Sequence, residues 1–384
     1  MPAQHMTKLE DLQKTYSLLQ DLMEEAPVDW EKSCVHTEDT VHQLSPYIGK
    51  LKSSIATYII DNYSSENQII VDPFAGSGTI PCQAVLMGRK TFASDPSIYA
   101  KILTKGKLSA PATEDEAIDR AKKMIKKASL LTCPDLADVP SWVTCFFHPK
   151  TLEEIIKFSM IARQSGNEFY FANFLGILHH QRPGFLSYPA SHLTPYLRNK
   201  KYPRELYPEM YEYRDLASRL IAKIHRTYKR HTHVNGVWNF RQSSIENVTL
   251  PQAFDVLITS PPYMNTLDYG RDNRLRLWFA NPYYRKSLDS SLTKSSYSFG
   301  VAMRIFAKKI ELGLRSQGNC IIIVGEKAKG KIEFLSSLIV SILSEYAPSL
   351  VLKKVIVDKI PDIRRCRRNY QGTKNEHILI FQKR

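Results

Sequence analysis

The chain has 384 residues, 43% of them hydrophobic, which suits a core sized for one large or two modest globular domains and excludes a disordered or fibrous chain. No apolar stretch reaches the length a bilayer demands, and Met1-Pro-Ala-Gln-His5 lacks a signal-peptide core, so a cytoplasmic protein with no membrane partner is expected. With 53 Lys and Arg against 38 Asp and Glu, the formal net charge of +15 points to a polyanionic partner, without separating DNA from RNA.

In chain order, residues 1–40 form an N-terminal helical segment. Leu9, Leu12, Leu18, Leu19 and Leu22 recur among charges and predict an amphipathic helix over about 8–25. Within residues 41–110, Gln68-Ile-Ile-Val71 is a short apolar strand candidate. It runs straight into Asp72-Pro73-Phe74-Ala75-Gly76-Ser77-Gly78-Thr79, and a helix is predicted from there through Met87. Strand, glycine loop and helix together cradle a nucleotide, because glycines let the backbone approach a ligand and the helix start points N–H groups at it. Thr91-Phe-Ala-Ser-Asp95 reads as the next strand, ending in an acid placed for ribose hydroxyls. A dinucleotide fingerprint would need a third glycine where Pro81 stands.

Pro81-Cys82 imitates the nucleophile of enzymes that methylate a ring carbon, but it sits beside the glycine loop, where packing is the expected role. The six cysteines show no C-x-x-C or Cys/His spacing, so reduced thiols and no metal are expected. His179 and His180 would fall on opposite faces of a helix and cannot easily share an ion, while His231 and His233 lie in a basic loop suited to phosphate.

Residues 111–235 read as a mainly helical insertion for target recognition, with helices over Thr113–Leu130, Thr151–Arg163 and Phe169–His179. Arg198, Lys200, Lys201 and Arg204 alternate with Tyr196, Tyr202 and Tyr207, a mixture that neutralises phosphates and stacks bases. Arg214, Arg219, Lys223, Arg226 and Arg230 follow at spacings that can share a helix face; a merely solvated charged helix would look the same. A second basic cluster, Arg364, Arg365, Arg367 and Arg368, precedes the last strand.

The final part, residues 236–384, holds the apolar run Phe254-Asp-Val-Leu-Ile-Thr259, which ends in Ser260-Pro261-Pro262-Tyr263. An exocyclic amine on a nucleobase is a poor nucleophile, because its lone pair is delocalised into the ring. A hydroxyl and carbonyls that accept its N–H hydrogens localise that pair, and two prolines present carbonyls without competing donors. An aromatic ring then offers a stacking face to a base flipped from a duplex. An ordinary Pro-Pro turn after a buried strand is the competing reading.

Taken together, Asp72-Pro-Phe-Ala-Gly-Ser-Gly-Thr79 and Ser260-Pro-Pro-Tyr263 resemble the S-adenosylmethionine-dependent amino-methyltransferases of DNA, and the Ser resembles the cytosine-N4 members. His42-Gln-Leu-Ser-Pro-Tyr47-Ile-Gly-Lys50, the continuation Asn265–Arg271, and the strands Cys320–Val324 and Glu376–Phe381 agree with that family.

The resemblance implies an α/β fold, with a doubly wound, mostly parallel, seven-stranded Rossmann-like sheet, and S-adenosylmethionine as cofactor. It assigns Asp72 to the cofactor's amino group, and Tyr47, Pro73, Phe74 and Gly76–Thr79 to its lining. Asp95 goes to the ribose and Pro96 to the adenine, while Ser260, Pro261, Pro262 and Tyr263 bind the target amine. Where the family often has an acid facing the adenine amine, this chain offers Gln242. The implied partners are double-stranded DNA and a separately acting restriction endonuclease. Adenine N6 and RNA bases stay open as targets, as does a catalytically silent DNA-binding protein.

Overall fold

The structure, a computed structural model, describes residues 9–27, 30, 36–132, 134–180, 185–188, 202–233, 235–262, 270, 273–281, 296–327, 335–360 and 373–384. Eight strands form one sheet: β1 (Met23–Glu25), β2 (Ile69–Asp72), β3 (Lys90–Ser94), β4 (Trp238–Arg241), β5 (Phe254–Thr259), β6 (Leu314–Lys327), β7 (Leu350–Lys359) and β8 (Thr373–Lys383). Their order across the sheet is β1-β7-β8-β6-β5-β2-β3-β4, and every pairing is parallel except the two made by β8. This is the doubly wound α/β arrangement expected from the sequence, with seven of the strands joined by a short eighth.

That eighth strand corrects the helix expected over 8–25. The helix, α1 (Leu9–Gln20), stops early, and Met23–Glu25 pairs in parallel with Val355–Val357 of β7. The open ladder of an edge strand outweighs the helical pattern of the leucines there.

Strand alternation divides the core in two. Ile70, Val256, Ile258, Ile321, Ile323, Ile356, Ile378 and Ile380 face one side, against Ile55, Ile59 and Ile60 of α2 (Ser53–Tyr63) and Ile80 of α3 (Thr79–Leu86). Val71, Leu257, Cys320, Ile322, Val324, Leu379 and Phe381 face the other. There they meet Phe306 and Ile310 of α11 (Ser296–Gly313) and Ile339 and Leu343 of α12 (Leu335–Tyr346). Both faces are buried, so the strands read as continuous apolar runs.

Between β3 and β4 the chain is helical, with no strand among the described residues. It comprises α4 (Ile98–Leu108), α5 (Glu114–Ser129), α6 (Ser141–Thr144), α7 (Pro149–Gln164), α8 (Glu168–Ile177) and α9 (Leu216–Tyr228). The first of these is capped by Ser97, the second by Thr113, with three acids in its first turn, and the last by Asp215. A third core, around Ile102, Phe158, Phe169, Phe174, Leu220 and Ile224, joins these helices to Leu277 of α10 (Arg274–Ala280).

Candidate functional site

β2, β3 and β4 wind toward one edge, whereas β5 lies on the other side of β2. Such a switch of winding opens a crevice at the carboxyl ends of the two central strands, where ligands of open α/β sheets bind. Asp72 ends β2, and Thr259-Ser260-Pro261-Pro262 leaves β5 at the same end, with Ile70 opposite Val256 and Val71 opposite Leu257.

The glycine loop after β2 is built for close approach. Gly76 and Gly78 take left-handed φ values of 49° and 71°, and Gly78 caps α3. A Cβ on Gly78 would lie 2.5 Å from Thr104 Oγ1 and 2.7 Å from Thr104 Cα, because α4 presses against the loop. The Tyr47 ring lies 3.5 Å from where a Gly76 Cβ would be and stacks on Tyr99 at 5.8 Å. Ser77 Oγ and Thr79 Oγ1 share a hydrogen bond of 3.0 Å. The carbonyl of Pro73 accepts from Ser94 Oγ at 3.3 Å, and the half-buried Phe74 packs on Phe306.

Asp95 ties this loop to the neighbouring strands. Its Oδ2 accepts from Gly76 N and its Oδ1 from Ser97 N, each at 2.9 Å. Its backbone continues the ladder beyond β4, with Asp95 N donating to Arg241 O and Ser243 N to Asp95 O. That extension brings Gln242 Nε2 to within 3.4 Å of the Pro96 carbonyl, and both side chains are exposed. Tyr47, Asp72–Thr79, Asp95, Pro96 and Gln242 therefore gather at one end of the sheet.

Asp72 and Thr259 join the two central strands. Thr259 Oγ1 donates to Asp72 Oδ1 at 2.7 Å, and Phe74 N donates to the same oxygen at 3.3 Å. Burial pushes the Asp72 carboxyl up to about 7; the two donors oppose that rise, and the charge of Asp95 adds to it. Beyond Thr259, Ser260 is half-buried, Pro261 buried and Pro262 half-buried. Tyr263 lies outside the described residues, as do Arg198, Lys200, Lys201, Arg365 and Arg367.

The basic residues between β3 and β4 divide differently from the expected single face. Arg226 is exposed on α9, and Arg204 is exposed over the ring of Tyr211, 5.6 Å from its centroid. Arg214 precedes α9, is buried, and donates to the Phe185 carbonyl at 2.9 Å. Lys223 turns inward and donates to the Gln43 carbonyl at 2.6 Å, with burial and then Arg226 pulling its ammonium down to about 7. Arg230 N donates to Thr40 Oγ1 at 3.1 Å, and Thr40 Oγ1 donates to the Thr227 carbonyl. His231, expected in a phosphate-binding loop, is buried, and its Nδ1 pairs with Asp39 at 2.9 Å. These contacts clamp residues 38–43, the start of the segment carrying Tyr47, onto α9.

His179 and His180 follow the end of α8 instead of sharing a helix. His179 Nδ1 bonds Ser187 Oγ at 2.8 Å, and His180 stacks on Phe185. Cys82 is buried, and burial pushes its thiol up to about 12, as suits packing. Among the described residues, no group of three or more His, Cys, Asp or Glu could hold a metal ion. None of the described helices is long and apolar enough to cross a membrane.

Sequence reasoning missed Thr259, whose hydroxyl looks like ordinary strand polarity until β2 and β5 are paired. It also missed Lys107 of α4, a buried ammonium whose Nζ has no hydrogen-bond partner among the described residues. Its only sequence signal was a Lys on an otherwise apolar helical face.

No protein-family model matches the chain. A stretch of 68 residues is 34% identical to the type II methyltransferase M.MjaII of Methanocaldococcus jannaschii, spanning 18% of this chain and 13% of that protein. Among solved structures, TrmN of Thermus thermophilus aligns over 88% of this chain and 50% of its own, at 10% identity and a TM-score of 0.36. The rRNA methyltransferase aviRa of Streptomyces viridochromogenes aligns over 91% of this chain and 95% of its own, at 11% identity and a TM-score of 0.34. Likeness at that level adds nothing to the fold assignment, which rests on the strand order described above.

Proposed function

We propose that the chain is an S-adenosylmethionine-dependent methyltransferase that methylates the exocyclic N4 of cytosine in duplex DNA, beside a separately acting restriction endonuclease. One observation carries the reading: the glycine loop and the Ser-Pro-Pro turn leave adjacent parallel strands at the switch point of the sheet, joined by the bond from Thr259 to Asp72. The +15 net charge and the 68-residue likeness to a type II methyltransferase support it further.

The residues fit the cofactor by their chemistry. A buried carboxylate, Asp72, suits an ammonium; the side-chain-free Gly76 beneath Tyr47 suits close backbone approach; Asp95 suits ribose hydroxyls, and Pro96 with Gln242 an adenine edge. Bound there, S-adenosylmethionine supplies an electrophilic methyl whose leaving group is a neutral thioether. The Ser260 hydroxyl and the proline carbonyls accept the amine's N–H hydrogens and aim its lone pair, while Tyr263 stacks on the flipped base. Rate comes from this alignment, and the amine's proton leaves to water afterwards.

The test is to incubate the protein with labelled S-adenosylmethionine and mixed-sequence duplex DNA or RNA, digest to nucleosides, and identify the product by mass spectrometry. N4-methylcytosine is expected. Label confined to adenine or to RNA overturns the target assignment, and label in no nucleoside overturns the activity. Tyr263→Ala is expected to lose turnover while keeping cofactor binding; equal loss of both would sink the stacking role.

A further inference from the structure

Thr259 is the last residue of β5, fully buried, and immediately precedes Ser260. Its hydroxyl has a buried carboxylate as acceptor in place of a backbone carbonyl of its own strand. That carboxylate belongs to Asp72, the residue from which the glycine loop departs. Of the groups that face Asp72, Thr259 on β5 and the Phe74 N–H at the loop start are donors, while Asp95 beyond β3 is a second anion. Among the described residues, Thr259 is the only one of these donors on the strand that carries the Ser-Pro-Pro turn. A hydroxyl bonded to an ionised acceptor makes one of the stronger hydrogen bonds of a protein interior, and the acceptor left alone is costly.

We propose that Thr259 is a positioning residue: its hydroxyl fixes the Asp72 carboxylate at the end of β2 for the cofactor's ammonium, and links cofactor binding to seating of the Ser260 turn. The inference rests on the proposed function of this site and adds a residue that the motif chemistry alone does not require. In the chain without cofactor, Asp72 sits near neutrality because burial opposes its charge, so each donor moves the range over which it ionises. Losing the Thr259 hydroxyl moves that range to higher pH. The ammonium of S-adenosylmethionine then meets a neutral carboxyl in part of the protein, and affinity falls at neutral pH.

Calorimetric titration of the full chain with S-adenosylmethionine, from pH 6 to pH 9, tests this on the wild type, Thr259→Val and Thr259→Ser. For the wild type, affinity rises with pH through about 7 as Asp72 ionises, and falls again above about 8, where the cofactor's own α-amino group loses its proton. For Thr259→Val, affinity at pH 7 falls about 10- to 100-fold, the cost of an unmade bond to a buried charge, and the rising limb of the profile shifts to higher pH. Thr259→Ser restores both, which a purely structural defect would not. Thr259→Ala replaces the Val variant if that one does not fold. The role of Thr259 is overturned if the hydroxyl-free variant keeps the wild-type affinity and pH dependence, or if Thr259→Ser loses as much as Thr259→Val. No binding by the wild type at any pH overturns the reading of the site, and the role of Thr259 with it.

Discussion

Replacing Asp72 by Asn should make the cofactor-free protein more stable at neutral pH while removing its cofactor affinity. In the folded chain, burial raises the Asp72 carboxyl to about 7, against an ordinary value of about 3.9. Below about pH 4 both the folded and the unfolded chain hold the proton. Between about 4 and 7 the unfolded chain has lost it and the folded chain keeps it, so stability falls as pH rises by about 1.4 kcal/mol per unit. Above 7 the cost is constant at about 4 kcal/mol, from about three units of difference.

An Asn in its place accepts the same bonds from Thr259 and Phe74 through its carbonyl oxygen and carries no charge to desolvate. The unfolding entropy of a 384-residue chain, at about 2 cal/mol/K per residue, converts 4 kcal/mol into a rise of about 5 °C in the thermal midpoint at pH 8. The assay is thermal unfolding followed by circular dichroism from pH 4.5 to pH 8.5 without cofactor. The gap between the two proteins should be smallest at the acid end, open steadily between about pH 4.5 and 7, and stay constant above that. A midpoint for the Asp72→Asn variant at or below the wild type at pH 8, or a gap that does not change with pH, would refute the reasoning.

Two further outcomes follow from the same interior. Lys107 is buried with no hydrogen-bond partner for Nζ among the described residues, and burial, then the charge of Lys50, brings its ammonium down to about 7. Below pH 7 the folded chain bears the full cost of that charge, and stability rises with pH from about 7 to 10. Lys107→Met should therefore raise the thermal midpoint at pH 6, by an amount equivalent to about 5 kcal/mol, with the gain shrinking toward pH 10; a gain that does not vary with pH would count against the buried charge as its cause. Gly78→Ala should abolish cofactor binding in calorimetry and lower the thermal midpoint. It adds a methyl 2.7 Å from the Thr104 backbone at a left-handed φ of 71°, a strain of about 1–3 kcal/mol before any clash, and wild-type binding by this variant would refute the close approach of α4.

The glycine loop was legible because strand, Gly-x-Gly and helix are local, and each requirement falls on neighbouring residues. The helices between β3 and β4 were legible for the same reason: the periodicities predicting helices over 113–130, 151–163 and 169–179 end within two residues of α5, α7 and α8. β1 was not, since Met23–Glu25 becomes a strand only by pairing with a β7 more than 300 residues away. The basic run from Arg214 to Arg230 misled because charge and spacing do not reveal which side of a helix is covered. Residues 38–43 cover the inward side of α9, so the Lys223 ammonium bonds that turn, as do the backbone N–H and the Nε of Arg230 just past the helix, while Arg226 faces solvent.

What the sequence by itself determined is the pair of motifs, their order, and the α/β class, because these are set by short-range backbone demands and alternating apolar residues. The tertiary structure decided which groups meet. Parallel pairing of β2 with β5 brings Thr259 to Asp72 across 187 positions of chain, and extension of the β3–β4 ladder brings Gln242 to Pro96 across 146. Hydrogen bonds and desolvation act over a few ångströms of space whatever the distance along the chain, so the charge on Asp72 is settled only when the sheet has closed around it.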